Sequence, residues 1–270
     1  MNVSIQEVVD SYLKYLAKFD QTHNVKCLKK FQRLLRADQE AARSEAVVFS
    51  WFHSLGLAPE PMDRGKGGPD FICHPLYLSD FYVEVTTLST ETIANKSRIP
   101  EINKGEGGGT FDTITLTLLR KAIRKIPQLS GLQFPRLLVI TGSHSASNTL
   151  LCGFGRDLLT GDTITDADNG ITELYYSKEK FINSIFFSVQ KHRIIPDHQT
   201  ISAILLMANY HNRCYVIGLK HPEPLTRFDT RSLPEVPFCQ FKSWPIINRI
   251  VETEWVCPQS RPAIYNYVPI

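Results

Sequence analysis

What the chain lacks narrows it first. It has no run of about 18 apolar residues, the length a membrane-spanning helix needs. Its first residues do not follow the charged, then apolar, then small-residue order of an export signal. The expectation is a cytoplasmic protein with no membrane-embedded part. Cys27, Cys73, Cys152, Cys214, Cys239 and Cys257 are scattered without a CxxC pair, which argues against a disulfide framework and against a cysteine-rich zinc site. Reduced, mostly buried thiols are expected instead. The histidines form no HxxxH or HxH pair and no serine sits in a GxSxG elbow, so two common hydrolase signatures are missing. The glycine-rich run at 63–68 lacks the Lys-Ser/Thr that ends a nucleotide-binding loop and leads into a strand, which argues against ATP binding. No internal repeat is visible. The net charge is only +3, so a polyanionic partner has to be argued from where the charges fall.

What is present is enough for a substantial core: 270 residues, 43% of them hydrophobic, fit one large domain or one domain with an appendage. Val8, Tyr12, Leu13, Tyr15 and Leu16 are spaced as a short amphipathic helix, with packing as its plainest role. A second helical pattern spans about 25–55. Its apolar residues Leu28, Phe31, Leu34, Leu35, Ala41, Ala42, Val48, Phe49 and Phe52 fall within about 100° of Glu45 on a wheel of about 100° per residue, all but Leu28 within about 80°. A carboxylate amid apolar groups is costly unless paired, hydrogen-bonded or bound to a metal, which makes Glu45 a candidate site residue. Asp38 shares that face and could equally mark an interruption of the stripe.

Next comes Gly67-Gly68-Pro69-Asp70-Phe71-Ile72-Cys73, and after a turn centred near Tyr77, Phe81-Tyr82-Val83-Glu84-Val85-Thr86. These stretches are expected to pair as an antiparallel hairpin with Asp70 and Glu84 opposed, about 4.5–5.5 Å apart, close enough to share one divalent cation. Taken singly, Pro-Asp is a common turn opening and Val-Glu-Val-Thr an ordinary strand. Residues 88–110 look like a polar loop. From Phe111 to Ile126 helical spacing returns, with Pro127 stopping or kinking it; Leu116, Leu119, Ile123 and Ile126 form one face, and Thr117, Lys121, Arg124 and Gln128 the other, flanked by Arg120 and Lys125. That second face is either simply solvated or a basic surface beside the acids. Buried strands are expected at 135–142, 200–207 and 214–219, the last two joined by a turn over 208–213, with a helix at 178–191 before them. The proline-rich residues 221–270 show little periodicity and suggest irregular packing over the core. The organisation read from the sequence is thus an N-terminal helical extension (1–24), an α/β core (25–220) and an irregular C-terminal segment (221–270).

The order helix, acid-bearing hairpin, helix, strand, helix, strand, strand makes an α/β sandwich with the acids on middle strands of its sheet. Glu45 on the first core helix, Pro69-Asp70, Glu84-Val85-Thr86, and a following helix with Lys121 and Gln128 together resemble the PD-(D/E)XK nuclease superfamily, which includes many restriction enzymes. The resemblance covers about residues 40–220. It implies a restriction-endonuclease-like α/β/α sandwich with a central mixed sheet, and Asp70, Glu84 and the Val85 carbonyl as ligands of Mg²⁺, with Mn²⁺ as substitute. Glu45 would orient a water or complete a metal shell. The implied activity is endonucleolytic hydrolysis of DNA, in a bacterial restriction or defence system. Lys66, Lys121, Arg124, Lys125 and Gln128 would contact the nucleic acid, and cutting both strands of a duplex would favour a homodimer. One position departs from the pattern: Thr86 stands where the superfamily has lysine. Lys121 is the first candidate to replace that charge, followed by Lys66, Lys104 and Lys125. The departure leaves a second expectation open, a catalytically degenerate nuclease fold serving as a nucleic-acid-binding or assembly module.

Overall fold

The computed structural model describes residues 3–62, 67–99, 112–153, 155–160, 163–165, 172–174, 184–190, 193–210, 212–246, 252–256 and 262–270. Three helices come first: α1 (Ile5–His23), α2 (Cys27–Ala37) and α3 (Gln39–Ser54). At the start of α1, the Glu7 N–H donates to the Ser4 hydroxyl and the Ser4 N–H donates to the Glu7 carboxylate at 2.7 Å, a reciprocal cap for two otherwise orphaned donors. The single helix expected over 25–55 is two. Asp38 closes α2 with its N–H on the Leu34 carbonyl (2.7 Å) and opens α3 by accepting the Ala41 N–H (3.0 Å). A short acidic side chain competes for backbone donors in this way, and the apolar periodicity runs on across the break.

The strands and remaining helices follow: β1 (Glu60–Pro61), β2 (Phe71–Cys73), β3 (Phe81–Leu88), α4 (Thr90–Ser97), α5 (Asp112–Leu129) and β4 (Arg136–Gly142). A π-helical turn (Asn148–Gly153), the short α6 (Asp157–Thr160) and two small hairpins, β5 (Thr163–Thr165) with β6 (Thr172–Leu174) and β7 (Phe187–Gln190) with β8 (Arg193–Pro196), lead to β9 (Ala203–Tyr210) and β10 (Arg213–Lys220). The chain closes with β11 (Phe238–Phe241), β12 (Thr253–Trp255) and β13 (Ala263–Asn266).

Nine strands form one mixed sheet in the order β1-β2-β3-β4-β9-β10-β11-β12, with β13 also on β10. Its centre, β3-β4-β9, is parallel, and β2 joins β3 antiparallel. Strand alternation separates two cores. Val83, Val85, Leu137, Val139, Leu205 and Met207 pack with the apolar sides of α1, α2 and α3. Leu88, Leu138, Ile140, Ile204 and Leu206 pack with α4, α5, the π-turn and α6 on the other face. The molecule is therefore a mixed α/β fold with helices on both faces of a large central sheet. Among the described residues, no helix is long and apolar enough to cross a membrane. Among the described residues, the thiols of Cys27, Cys73, Cys152, Cys214 and Cys239 are buried and outside any disulfide.

Several local expectations change. Part of the supposed loop 88–110 is α4, capped by the Ser89 hydroxyl accepting the Thr92 N–H; residues 100–111 lie outside the described residues. Helix 178–191 is not found where the chain is described: Phe187–Gln190 is a strand of a hairpin, favoured by the alternating Phe-Ser-Val-Gln, while 178–183 lie outside the described residues. Pro127 does not end α5, which continues to Leu129. The core face of α5 is Ile114, Leu118, Leu119, Ala122 and Leu129, with Leu116 and Ile126 packed at its margin; of the expected apolar face only Ile123, 40% exposed, turns away from the core. The pairing of β9 with β10 extends to Tyr210 opposite Arg213, so the turn is tighter than expected, and Asn212 supplies positive φ. The last fifty residues are less irregular than their prolines suggest: β11 and β13 share the far edge of β10, β11 near its C-terminal end and β13 near its N-terminal end.

Candidate active site

The ladder between β2 and β3 pairs Phe71 with Val83, Ile72 with Tyr82 and Cys73 with Phe81, around a turn where Tyr77 has φ 63°. One more step of this register would set Asp70 opposite Glu84. Asp70 instead leaves the ladder: its N–H donates to the Val83 carbonyl (2.9 Å) and its Oδ2 accepts the Val85 N–H (2.9 Å). Its carboxylate thus stands in for the strand residue that would have paired with Val85. A residue's N–H and C=O share one strand edge, so the Val85 carbonyl also faces the edge that β2 has vacated. The flanking Gly67 and Gly68 have φ of 96° and 154°, backbone that suits glycine and keeps this edge open.

Glu84 projects from the opposite side of β3 to Val83 and Val85, toward α5. It is 2% exposed; Lys125 Nζ donates to its Oε1 at 2.6 Å, and its Oε2 is buried with no hydrogen-bond partner. Glu45, 9% exposed on α3, accepts a hydrogen bond from the Tyr12 hydroxyl at 3.1 Å. Burial first, and the neighbouring Asp70 carboxylate second, push both Glu45 and Glu84 up to about 8, against the pull of Lys30 and Lys125. Lys30 Nζ lies 3.6 Å from Asp70 Oδ1.

These groups line one cleft of about 530 Å³, bounded by α2 and α3 on one side and α5 on the other. Glu45, Asp70, Glu84, Val85, Thr86, Lys121, Lys125 and Gln128 all border it, so most residues singled out in the sequence converge. Lys121, the first candidate to replace the missing lysine, donates instead to the Thr87 carbonyl, and burial lowers its pKa. Lys125 is the cation on Glu84. The Gln128 Oε1 is buried without a partner. Arg124 is exposed and does not border the cleft, and Lys66 and Lys104 lie outside the described residues.

Three participants were missed. Tyr12 belongs to the helix assigned to mere packing, and Lys30 and Arg33 belong to α2, where only the apolar stripe had drawn attention. The basic spacing Lys26, Lys29, Lys30, Arg33, Arg36 along α2 is the signal that could have found them.

No three His, Cys, Asp or Glu side chains among the described residues cluster as a ready-made metal cage. The donors that border the cleft are the carboxylates of Glu45, Asp70 and Glu84 and the backbone of Val85. Their oxygens are hard donors, and one buried carboxylate oxygen lacks a partner. Such a set fits Mg²⁺ or Mn²⁺, which keep several waters and use only one or two carboxylates, and does not fit zinc. No protein-family model, curated protein or solved structure matches this chain.

Proposed function

We propose that this protein is a divalent-metal-dependent endonuclease of restriction-endonuclease-like fold that hydrolyses DNA phosphodiester bonds. The observation that carries the reading is the junction of β2 and β3, where Asp70 and the buried Glu84 meet the Val85 carbonyl edge inside a lysine-lined cleft. Asp70, Glu84 and the Val85 carbonyl would hold Mg²⁺, or Mn²⁺ in its place. The cation supplies activation of water and neutralisation of charge at phosphorus and the leaving oxygen.

The remaining steps fall to the chain's own residues. Glu45, oriented by the Tyr12 hydroxyl, positions water on the α3 side of the cleft. Thr86 offers a hydroxyl to a water but no charge. Lys125 holds Oε1 of Glu84, which leaves the unpartnered Oε2 available to hold the ion, and its ammonium would stand beside the reacting phosphate in the role that Thr86 cannot fill. Arg33, Lys121 and Gln128 border the same cleft and would steady the flanking phosphates.

The test is plasmid cleavage with Mg²⁺ or Mn²⁺. Asp70→Ala and Glu84→Ala are each expected to lower the rate about 1,000-fold or more, since each removes a charge that the metal needs. Cleavage by both variants at the wild-type rate would sink the proposal.

A second reading has an observation in its favour. Lys30 and Lys125 already compensate Asp70 and Glu84, so the acids can persist in a protein that merely binds DNA. In that case no metal-dependent cleavage appears, and salt-sensitive DNA affinity survives Asp70→Ala.

A further inference from the structure

The two cations over the acids are held differently. Lys125 makes a tight 2.6 Å contact with a carboxylate that is 2% exposed, and its own side chain is 27% exposed. Lys30 sits 3.6 Å from Asp70, beyond good hydrogen-bond length, with half of its side chain in solvent. Its helix buries Cys27 and Phe31 and packs Leu28, Leu34 and Leu35 partly against the core, leaving Lys30 on the cleft side. Lys125 is therefore a fixed partner and Lys30 an exchangeable one.

Asp70 also has one oxygen without a close partner. Oδ2 is committed to the Val85 N–H, and Oδ1 is the oxygen that Lys30 approaches. An incoming divalent cation that takes Oδ1, the oxygen with no short hydrogen bond, meets Lys30 there. Two cations sharing one ligand oxygen repel, so the ammonium must withdraw along its four-carbon stem. It withdraws into a cleft that Arg33 of the same helix face also borders, where a phosphate is the complementary group.

On the reading of the site as a metal-dependent nuclease, we propose that Lys30 is an exchangeable catalytic cation: it competes with the metal for Asp70 Oδ1 and transfers to the substrate phosphate once the metal is bound. The two halves of this statement pull in opposite directions, which makes them separable. Removing the ammonium should improve metal binding and impair cleavage.

The experiment compares wild type, Lys30→Met and Lys30→Arg, each as the full chain. Mn²⁺ affinity is measured by calorimetry without nucleic acid, and plasmid cleavage is measured at saturating Mn²⁺. Lys30→Met keeps the apolar stem of a half-exposed side chain, and its folding is checked by circular dichroism. The expected result is Mn²⁺ binding tighter by up to about tenfold, the scale of a partly exposed ion pair, together with cleavage slower by about tenfold or more. Lys30→Arg should restore cleavage at least in part. Unchanged or weaker Mn²⁺ affinity in a folded Lys30→Met overturns the competition, and unchanged cleavage at saturation overturns the transfer. If the wild type neither binds Mn²⁺ nor cuts, the nuclease reading falls and this one with it; if the wild type does both and only the Lys30 split is absent, the nuclease reading stands.

Discussion

The acid cleft has a smaller counterpart at the far end of the sheet, where Ser202, Lys220, His221, Arg227, Phe241 and Trp244 enclose about 190 Å³. Both hollows are bordered by cations and contain a buried ionisable group shifted away from its charged form. Burial pushes His221 down to about 4, and burial and Asp70 push Glu84 up to about 8. They differ in what is left unmet. His221 Nε2 donates to the Asp197 carbonyl (2.8 Å) and its Nδ1 accepts the Glu223 N–H (2.9 Å), so the neutral ring is fully used in joining two backbone segments. Glu84 has one oxygen on Lys125 and one with no partner. Burial with complete satisfaction describes architecture, whereas burial with an unmet oxygen beside a second carboxylate describes a place where something else binds.

The contrast can be broken most forcefully at His221. Replacing it with alanine strands a part-buried carbonyl and a part-buried N–H and leaves a cavity, so His221→Ala should lose about 2 kcal/mol in urea titrations. Its Mn²⁺ affinity should match the wild type. A loss of metal binding in a folded His221→Ala would merge the two hollows into one functional unit.

The two sites should next reveal themselves through opposite pH dependence. Glu45 and Glu84 keep their protons up to about 8 in the fold, against 4.5 in the unfolded chain. The folded state therefore binds more protons within that window, and without metal their contribution to stability is lost as pH rises from about 4.5 to about 8. His221 titrates near 4 in the fold against 6.5 unfolded. Its contribution is present above about 6.5 and is lost as pH falls toward 4. Melting temperatures in chelator should thus fall as pH rises from about 4.5 to about 8, less steeply below about 6.5 where His221 works against the two acids, and Mn²⁺ should lift the alkaline side only. An alkaline decline that Mn²⁺ leaves unchanged would remove the distinction.

The smallest expected effect is at Tyr12. Its hydroxyl is the donor to Glu45, so Tyr12→Phe should cost about 1 kcal/mol of stability. If that bond orients Glu45 for water, cleavage slows several-fold while Mn²⁺ affinity holds. A cleavage rate equal to wild type would return α1 to the packing role first assigned to it.

The legible parts of the molecule were those written in local pattern. Seven consecutive buried residues of β4 are built around the apolar run Leu137-Leu138-Val139-Ile140, and Glu45 stands out because its apolar neighbours recur at helical spacing. The turn at Tyr77 and the pairing of Phe71 with Val83 follow from hairpin symmetry alone. Where two local signals competed, the weaker was misjudged. Asp38 capped two helices under a continuous apolar stripe, and proline masked the strands β11 to β13, whose order comes from pairing with β10 and β11.

The sequence by itself determined which strands would be buried, which acids would stand near one strand edge, and that Thr86 brings no charge to it. Tertiary structure alone decided which cation answers each acid. Lys125 reaches Glu84 across 41 positions, Lys30 reaches Asp70 across 40 and Tyr12 reaches Glu45 across 33. Those meetings depend on how α1, α2 and α5 settle on the sheet. No local period encodes that packing, because a basic residue on a helix face has the same signature whether it points to water or into a cleft.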